Sequence, residues 1–287
     1  MRLLVLILAS ALIVPAAIPC EGTILHVPGD YATICEATAV AEFGDTVLVA
    51  PGIYEYPSQD CRPIADGVAL VSEAGAEQTI LNAWMWESGL ALIEFEPGAG
   101  PQTSLVGFTI YCVDIGGSPV SQAIRCDGAS PMVAGNVVLP SPVDPWAVVM
   151  VGIECTPESA PRIVNNTLVT GSGSAAIELH GSSATISHNI IAQCDAGIYC
   201  SGDSDPVISC NDIWEVPVRY PGACPPAEGD FYEDPLFCDP VTSDYTLNCE
   251  SPAVHGYGCG LVGALPVGCG ASAAHAESWG TIKVMFR

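Results

Sequence analysis

The chain has 287 residues and carries 7 Lys and Arg against 32 Asp and Glu, which gives a formal net charge of −25. Such an excess of acid repels nucleic acid and anionic lipid surfaces, so we expect partners that are neutral, cationic or bridged by calcium. With 29 Gly, 24 Pro and 49% hydrophobic residues, the chain is too apolar for disorder and too rich in helix breakers for a helical bundle. These counts favour an all-β fold.

The first residues have the pattern of a secretory signal. The basic Arg2 precedes an apolar run over residues 3–14, which is too short to span a bilayer, and small residues follow at Ala16 and Ala17. We therefore assign residues 1–17 to a signal peptide and predict a secreted or cell-surface protein without a membrane span. The 14 cysteines of an exported chain predict disulfides, whose connectivity the sequence leaves open.

The middle of the chain repeats a unit of roughly 20 to 30 residues that has no helical periodicity. Each unit contains a triplet whose first and third residues are apolar, and most units contain an asparagine before a short apolar strand. The triplets are centred on Glu94, Arg125, Glu154, Glu178 and Tyr199, and the asparagines are Asn136, Asn166, Asn189 and Asn211. Repeats of this length predict a β-solenoid with one repeat per coil, and we expect about eight to ten coils.

Stacking of the coils predicts columns of equivalent residues. Successive coils lie about 4.8 Å apart, so the middle residues of the triplets form one outward row and the flanking residues point inward. We interpret the inward Cys126, Cys155 and Cys200 as small buried apolar residues, and only Cys126 and Cys155 are close enough to bridge. We interpret the asparagines as a structural ladder, in which each adopts the left-handed conformation and bonds to its neighbours.

The opening segment, residues 23–54, contains a strand, a predicted helix over about 31–43 and a second strand. The apolar face of this helix comprises Ile34, Ala37, Val40 and Ala41. Together with the repeats, this opening resembles the right-handed parallel β-helix proteins of the pectin-lyase-like superfamily. The resemblance implies an all-β, single-stranded right-handed parallel β-helix (β-solenoid) over residues 23–213, with an N-terminal capping helix and a disulfide-rich C-terminal cap.

The segment from 230 to 264 is similar to the terminal cap of bacterial surface β-helix proteins called choice-of-anchor Q. We assign residues 214–270 to a Cys-rich C-terminal cap. Residues 271–287 form a linker and a short C-terminal tag, which is either a sorting signal or a last strand on the cap. We expect six cysteines to close this region through loops of about 10 to 15 residues. They are Cys210, Cys224, Cys238, Cys249, Cys259 and Cys269.

The outward row is the predicted binding site. The resemblance places the substrate groove on the sheet that carries Glu94, Arg125, Glu154, Glu178 and Tyr199. We expect two long connections, over 112–120 and 139–148, to rise beside it, and we add His180 to the binding residues. Indoles beside carboxylates suit stacking on sugar faces. The tryptophans expected on this rim are Trp84, Trp86 and Trp146.

Three residues, Glu154, Glu178 and Arg125, are the candidate catalytic groups. Neighbouring coils bring the two glutamates about 5 Å apart, near the separation in a retaining glycosidase, although any two residues of a column come this close. The alternatives are a surface charge ladder around Arg125 and, for His180, a solvated turn residue beside Asp127 and Ser201. The polygalacturonase-like, pectinesterase-like and lyase-like signatures of the superfamily are not met.

We therefore predict a non-catalytic, monomeric protein whose partner is an extracellular polysaccharide or a cell-surface glycan. The alternatives are a purely structural surface spacer and a polysaccharide-cleaving enzyme, either a lyase or a glycoside hydrolase. No residue is assigned to a metal, because CxxC pairs and His-x3-His clusters are missing from the sequence. We expect no cofactor, and calcium at the acidic stretches 202–206 or 228–234 is the alternative that stays open.

Overall fold

The computed structural model describes residues 22–57, 60–85, 91–114, 120–142 and 149–270. These residues form a right-handed parallel β-solenoid of about 7 turns, as the repeats predict, although eight to ten coils were expected. The predicted signal peptide, the linker and tag, Trp86, Trp146 and the middles of both long connections lie outside the described residues.

The coils build three faces, which we call A, B and C. Face A is an eight-stranded parallel sheet whose strands follow one another along the solenoid axis in chain order. Its strands are β1 (Ile24–Val27), β2 (Thr46–Val49), β4 (Ala69–Ser72), β7 (Ser104–Val106), β10 (Met132–Ala134), β13 (Arg162–Val164), β15 (Thr185–Ser187) and β17 (Val207–Ser209).

Faces B and C join into one sheet, because two long strands turn the corner between them and contribute to both. These are β14 (Thr167–His180) and β16 (Ile190–Ser201). Face B further contains β3 (Gly52–Pro57), β5 (Thr79–Met85), β8 (Thr109–Asp114), β11 (Val137–Pro140) and β18 (Asp212–Trp214). Face C further contains β6 (Ala91–Glu94), β9 (Val120–Cys126) and β12 (Val149–Cys155).

The predicted inward columns fill the core. One column on face C runs in register through Ile93, Ile124, Ile153, Ile177 and Ile198, each with 0% exposure. The next inward column contains Cys126, Cys155, Leu179 and Cys200. Burying one such aliphatic side chain contributes roughly 1.5–3 kcal/mol, so the isoleucine stack is a main source of coil stability.

The asparagine ladder is confirmed, and it is fully buried: Asn136, Asn166, Asn189 and Asn211 have 0% exposure. At each step the backbone N–H and the side-chain amide of one asparagine both donate to Oδ1 of the next. The N–H bonds measure 2.9–3.0 Å and the amide bonds 3.0–3.2 Å. Buried polar groups are thus paired with one another in every coil.

The left-handed conformation belongs to the residue before each asparagine, so that part of the ladder prediction is wrong. Gly135, Asn165, His188 and Cys210 have φ between 51° and 62°. The preceding residue makes the sharp turn, and this turn aims the asparagine side chain into the buried corner where its neighbours lie.

The N-terminal helix is shorter than predicted. It is α1 (Ile34–Thr38), which begins with a capping box between Thr33 and Glu36. Ile34 and Ala37 belong to the buried core, as the apolar face predicts, but Val40 is 52% exposed. The chain has already left the helix at Val40, because the turn toward β2 begins there.

Four disulfides connect the described cysteines: Cys35–Cys61, Cys200–Cys224, Cys210–Cys259 and Cys238–Cys269. Cys112, Cys126, Cys155, Cys194 and Cys249 are free. The interpretation of Cys200 as an unbridged core residue is wrong, because Cys224 reaches it from the chain that follows the last coil. The expected loops of 10 to 15 residues are wrong as well, since the last three bridges span 24, 49 and 31 residues.

After β18 the chain leaves the repeat. Residues 218–231 make isolated parallel bridges to the last coil and lie over its end. The following residues form a small mixed sheet of β19 (Phe237–Asp239), β20 (Asp244–Asn248) and β21 (Val267–Cys269), and a short helix, α2 (Pro252–His255). The regular stacking of coils ends here.

This C-terminal segment also packs along the side of the solenoid. Leu247, Val262 and Leu265 form a second buried cluster with outward residues of face B, among them Val169 and Ile190. The contact explains why face B carries apolar residues on its outer side. The C-terminal segment therefore covers face B at these residues, whereas outward residues of face C remain part-exposed.

Candidate functional site

The predicted row is present on the outer side of face C. Glu94, Arg125, Glu154, Glu178 and Tyr199 are in register, each on the strand next to the previous one. They alternate with the buried isoleucines, so the pleat directs them outward. We call these five residues, with His180, the face C row.

Arg125 holds three carboxylates at one end of the row. Its Nε lies 3.1 Å from Glu154 Oε2, Nη2 lies 3.3 Å from Asp127 Oδ2, and Nη1 lies 3.9 Å from Glu94 Oε1. Nε has no aligned hydrogen-bond partner among the described residues, so its contact with Glu154 is mainly electrostatic. The charge ladder foreseen around Arg125 is present, and part-exposed pairs of this kind contribute under about 1 kcal/mol each.

His180 is the last residue of β14, and its ring faces two glutamates of the row. Its Nε2 lies 3.3 Å from Glu178 Oε2 and 3.9 Å from Glu154 Oε1, and its Nδ1 lies 2.7 Å from Ser201 Oγ. The predicted neighbour Ser201 is thus confirmed. Asp127 instead accepts a 2.6 Å hydrogen bond from Thr156 and pairs with Arg125.

A surface depression adjoins the row at Glu178. Its volume is about 500 Å³, and it is lined by Gln122, Met150, Gly173, Ser174, Glu178 and Asp195. Met150 is 44% exposed and supplies an apolar surface there. Concave sites with one apolar surface and a few polar groups are typical of ligand binding.

Local backbone features shape this depression. The pairing of β14 with β16 shifts register between Gly171 and Ala175, where the chain turns from face B to face C. Gly171 and Gly173 have φ of 90° and 82°, a backbone conformation that residues other than glycine rarely adopt. On β12, a Cβ at Gly152 would lie 2.5 Å from the carbonyl oxygen of Ala176, so only glycine permits the two coils to approach here.

Of the three tryptophans predicted for the rim, only Trp84 is among the described residues, and it lies in a strand and not in a connection. Trp84 lies in β5 on face B, and its Nε1 donates a 3.0 Å hydrogen bond to Glu55 Oε2. It was predicted to lie in a connection next to the row. The strand simply extends further than its apolar pattern suggests, and Trp84 pairs in register with Pro57 and Val113.

Comparison with known proteins supports the architecture. Residues 147–223 match the family model described as the right handed beta helix region. This match includes three strands of face C and the residues Glu154, Glu178, His180 and Tyr199. It supports the fold. Neither the curated proteins nor the solved structures compared with this chain gave a match.

Two further findings concern the described residues. None of their helices has the length and apolarity that crossing a membrane requires. Among these residues, one group of His, Cys, Asp or Glu side chains is arranged so that it could hold a metal ion. It consists of Glu154, Glu178 and His180, whose three ligand atoms lie within 4.8 Å of one another.

The sequence predicts Asp127 and Ser201 only as neighbours of His180 and assigns neither of them a role in the site. In the structure, Asp127 completes the set of carboxylates around Arg125, and Ser201 contacts the His180 ring. Both directly follow a cysteine of a triplet, so they continue the stacked columns by one residue.

Proposed function

We propose that this chain is a secreted or cell-surface β-helix protein that binds an extracellular glycan along the face C row without cleaving it. The observation that carries the proposal is the unbroken register of the row. A sugar chain lying along the solenoid axis would meet a new outward side chain at each coil, every ~4.8 Å. Fold alone does not determine function, so the proposal rests on the chemistry of these side chains.

That chemistry favours a neutral or amino-sugar glycan. Carboxylates accept hydrogen bonds from hydroxyl and ammonium groups, the guanidinium donates them, and the ring of Tyr199 offers a surface for stacking. The row and its edge carry four carboxylates, those of Glu94, Asp127, Glu154 and Glu178, and one guanidinium, which pairs with the first three. An acidic polysaccharide would be repelled by this excess of negative charge and by the net charge of −25.

The placement of Glu154 and Glu178 supports binding in preference to hydrolysis. They are direct partners on adjacent parallel strands, so both carboxylates project from the same sheet surface. A retaining glycosidase needs two carboxyl groups flanking the scissile bond about 5–5.5 Å apart. Arg125 and His180 also pair with these two carboxylates.

The proposed location agrees with the cysteine chemistry. Disulfides persist in oxidising compartments, and four of them connect the described residues. This supports export by the predicted signal peptide over residues 1–17.

A glycan array with the oxidised mature protein tests the proposal. We expect binding to neutral or amino-sugar polysaccharides, and we expect Tyr199→Ala and Glu178→Gln to weaken it at least about tenfold, the effect of losing ~1.4 kcal/mol. Matched controls on other surfaces are Tyr232→Ala, at a 40% exposed tyrosine, and Glu73→Gln, at an exposed glutamate that directly follows β4. Both controls should bind like the wild type.

The same screen separates the alternatives. Mass spectrometry of the bound glycan should show no shortened product. Release of reducing ends or unsaturated products, lost in Glu154→Gln and Glu178→Gln, would favour the cleaving enzyme. Absence of binding to all glycans of a broad array would favour the structural spacer.

A further inference from the structure

We propose that Glu154, Glu178 and His180 form a binding site for one divalent transition-metal ion, and that Zn²⁺ suits these ligands best. The inference goes beyond glycan binding and does not depend on it. It rests on the distances between three ligand atoms, on the orientation of one imidazole ring and on the charges around them.

One of the three distances between ligand atoms equals that of a tetrahedral site, and all three atoms lie within 4.8 Å of one another. Zn²⁺ binds imidazole nitrogen and carboxylate oxygen at about 2.0–2.1 Å, which places two ligand atoms of a tetrahedron about 3.3 Å apart. His180 Nε2 and Glu178 Oε2 are 3.3 Å apart. Glu154 Oε1 is 3.9 Å from the same nitrogen, and a small rotation of its carboxylate would bring it to the tetrahedral distance.

The ring of His180 is oriented as a ligand. Ser201 Oγ lies 2.7 Å from His180 Nδ1 and 3.3 Å from the carbonyl oxygen of Leu179, to which it can donate its proton while it accepts from Nδ1. We therefore assign the proton to Nδ1, which leaves the lone pair of Nε2 directed at the two glutamates. Metal-ligating histidines characteristically donate their second nitrogen to such a partner.

Without a cation this arrangement is electrostatically unfavourable. In the tautomer with the proton on Nδ1, the Nε2 lone pair faces a carboxylate oxygen at 3.3 Å, and Glu154 and Glu178 are like charges directly opposite each other on neighbouring strands. Arg125 compensates Glu154 from one side, at 3.1 Å, but Glu178 has no guanidinium or ammonium partner among the described residues. A divalent cation between the three ligand atoms would remove both repulsions.

The ligand set selects the metal. One imidazole and two carboxylates suit Zn²⁺ and related transition metals, whereas Ca²⁺ prefers six to eight oxygens. The three side chains are 15–35% exposed, so water can complete the coordination. Three protein ligands and an open position are the pattern of zinc sites that bind a further ligand.

Calorimetric titration with Zn²⁺ tests the site. The mature protein used for it carries no affinity tag and is first freed of metal with EDTA. We expect one Zn²⁺ per chain, and visible absorption bands of tetrahedral coordination when Co²⁺ replaces it. His180→Ala and Glu178→Gln should weaken binding at least tenfold. Ser201→Ala should weaken it about 10–100-fold while keeping the cobalt bands, because Ser201 positions the ring without touching the ion.

Three control variants make the result specific. His26→Ala removes an exposed histidine of β1, and Glu73→Gln removes an exposed carboxylate outside the face C row; both should bind zinc like the wild type. Cys249→Ser excludes zinc capture by the one free thiol that is not buried among the described cysteines. No uptake by the wild type, uptake unchanged in His180→Ala, or tighter binding of Ca²⁺ than of Zn²⁺ at this site would overturn the proposal.

Discussion

Asp230 accepts two hydrogen bonds from Asn211, at 2.8 Å from its backbone N–H and at 3.2 Å from its side-chain amide, both to Oδ1. It thereby occupies the place that a fifth asparagine would take in the ladder. Its second oxygen accepts from the hydroxyl of Tyr220, which lies in the segment over the end of the solenoid. The last rung therefore connects the buried ladder of the coils to the chain that covers them.

The ladder should be essential to coil stability. In a fully buried corner, Asn166→Ala would remove the acceptor of the Asn136 backbone N–H, one of the two hydrogen bonds that the Asn136 amide donates, and the hydrogen bond that the Val133 carbonyl accepts. Each buried unpaired group costs about 1–3 kcal/mol, so we expect a loss of at least about 2 kcal/mol in the free energy of unfolding, measured with denaturant on the oxidised protein. Asn82→Ala, which loses a 3.0 Å hydrogen bond to Glu55 near the surface, is the control and should change stability by about 0.5 kcal/mol or less. Equal effects of the two variants would contradict the prediction.

The repeat determined how far the fold could be predicted. Equivalent positions of a solenoid must stack, so the isoleucine column, the row from Glu94 to Tyr199 and the asparagine ladder follow from spacing alone. Asp230 could not be found this way, because it is an acid at an asparagine position. Cys224 also lies outside the repeat, which is why its bridge to Cys200 was missed.

The candidate site was predictable only as a row. The register follows from the repeat, but the approach of His180 to Glu178 depends on side-chain torsions that spacing does not specify. The length of α1 depends on where the chain must turn toward β2, and hydrophobic periodicity continues past that point to Val40. Local pattern and tertiary constraint disagree at this position, and the tertiary constraint determines the outcome.

Asp212 should make stability depend on pH. It has 0% exposure, its Oδ2 has no partner among the described residues, and burial, opposed by a hydrogen bond from Glu233, raises its pKa from 3.8 to about 8. Between these values the folded state holds a proton that the unfolded state has released. The contribution of this proton to the free energy of unfolding is therefore fully present below about pH 4, and it falls as the pH rises toward 8.

Asp212→Asn tests this dependence because it removes the titration at similar size. We expect the variant to be more stable than the wild type at pH 7–8 and to show a flatter decline of the unfolding free energy between pH 5 and 8. Asp203→Asn, at an exposed position, is the matched control and should keep the wild-type slope. A slope that Asp212→Asn leaves unchanged would show that another group causes it.

The free thiols of the core should be unreactive in the native protein. Cys112, Cys126, Cys155 and Cys194 are buried, and burial raises the pKa of Cys112 and, to about 12, that of Cys194. The pKa of Cys155 is raised first by its contact with the Cys126 thiol and then by burial. Since the thiolate is the reactive form, we expect iodoacetamide to label Cys249 and to spare these four until the protein is unfolded. Native labelling of Cys155, or a mass two hydrogens lower that indicates a Cys126–Cys155 bridge, would contradict this.

The C-terminal segment should depend on its disulfides more than the coils do. Its small sheet and short helix follow a chain rich in Pro and Gly, and the bridges Cys210–Cys259 and Cys238–Cys269 close loops of 49 and 31 residues. Loops of this length contribute about 3–4 kcal/mol each through the unfolded chain. The coils have their own ladder and buried columns. We therefore expect mild reduction, or the double variant Cys210→Ser/Cys259→Ser, to expose the region after about Cys210 to protease while residues 23–209 stay protected.

Cys249→Ser removes a thiol that forms no bridge and should leave the digestion pattern unchanged. Mass spectrometry of the fragments reads out both variants, and a C-terminal segment that resists digestion under reductant as well as the coils do would show that its packing on face B suffices to hold it.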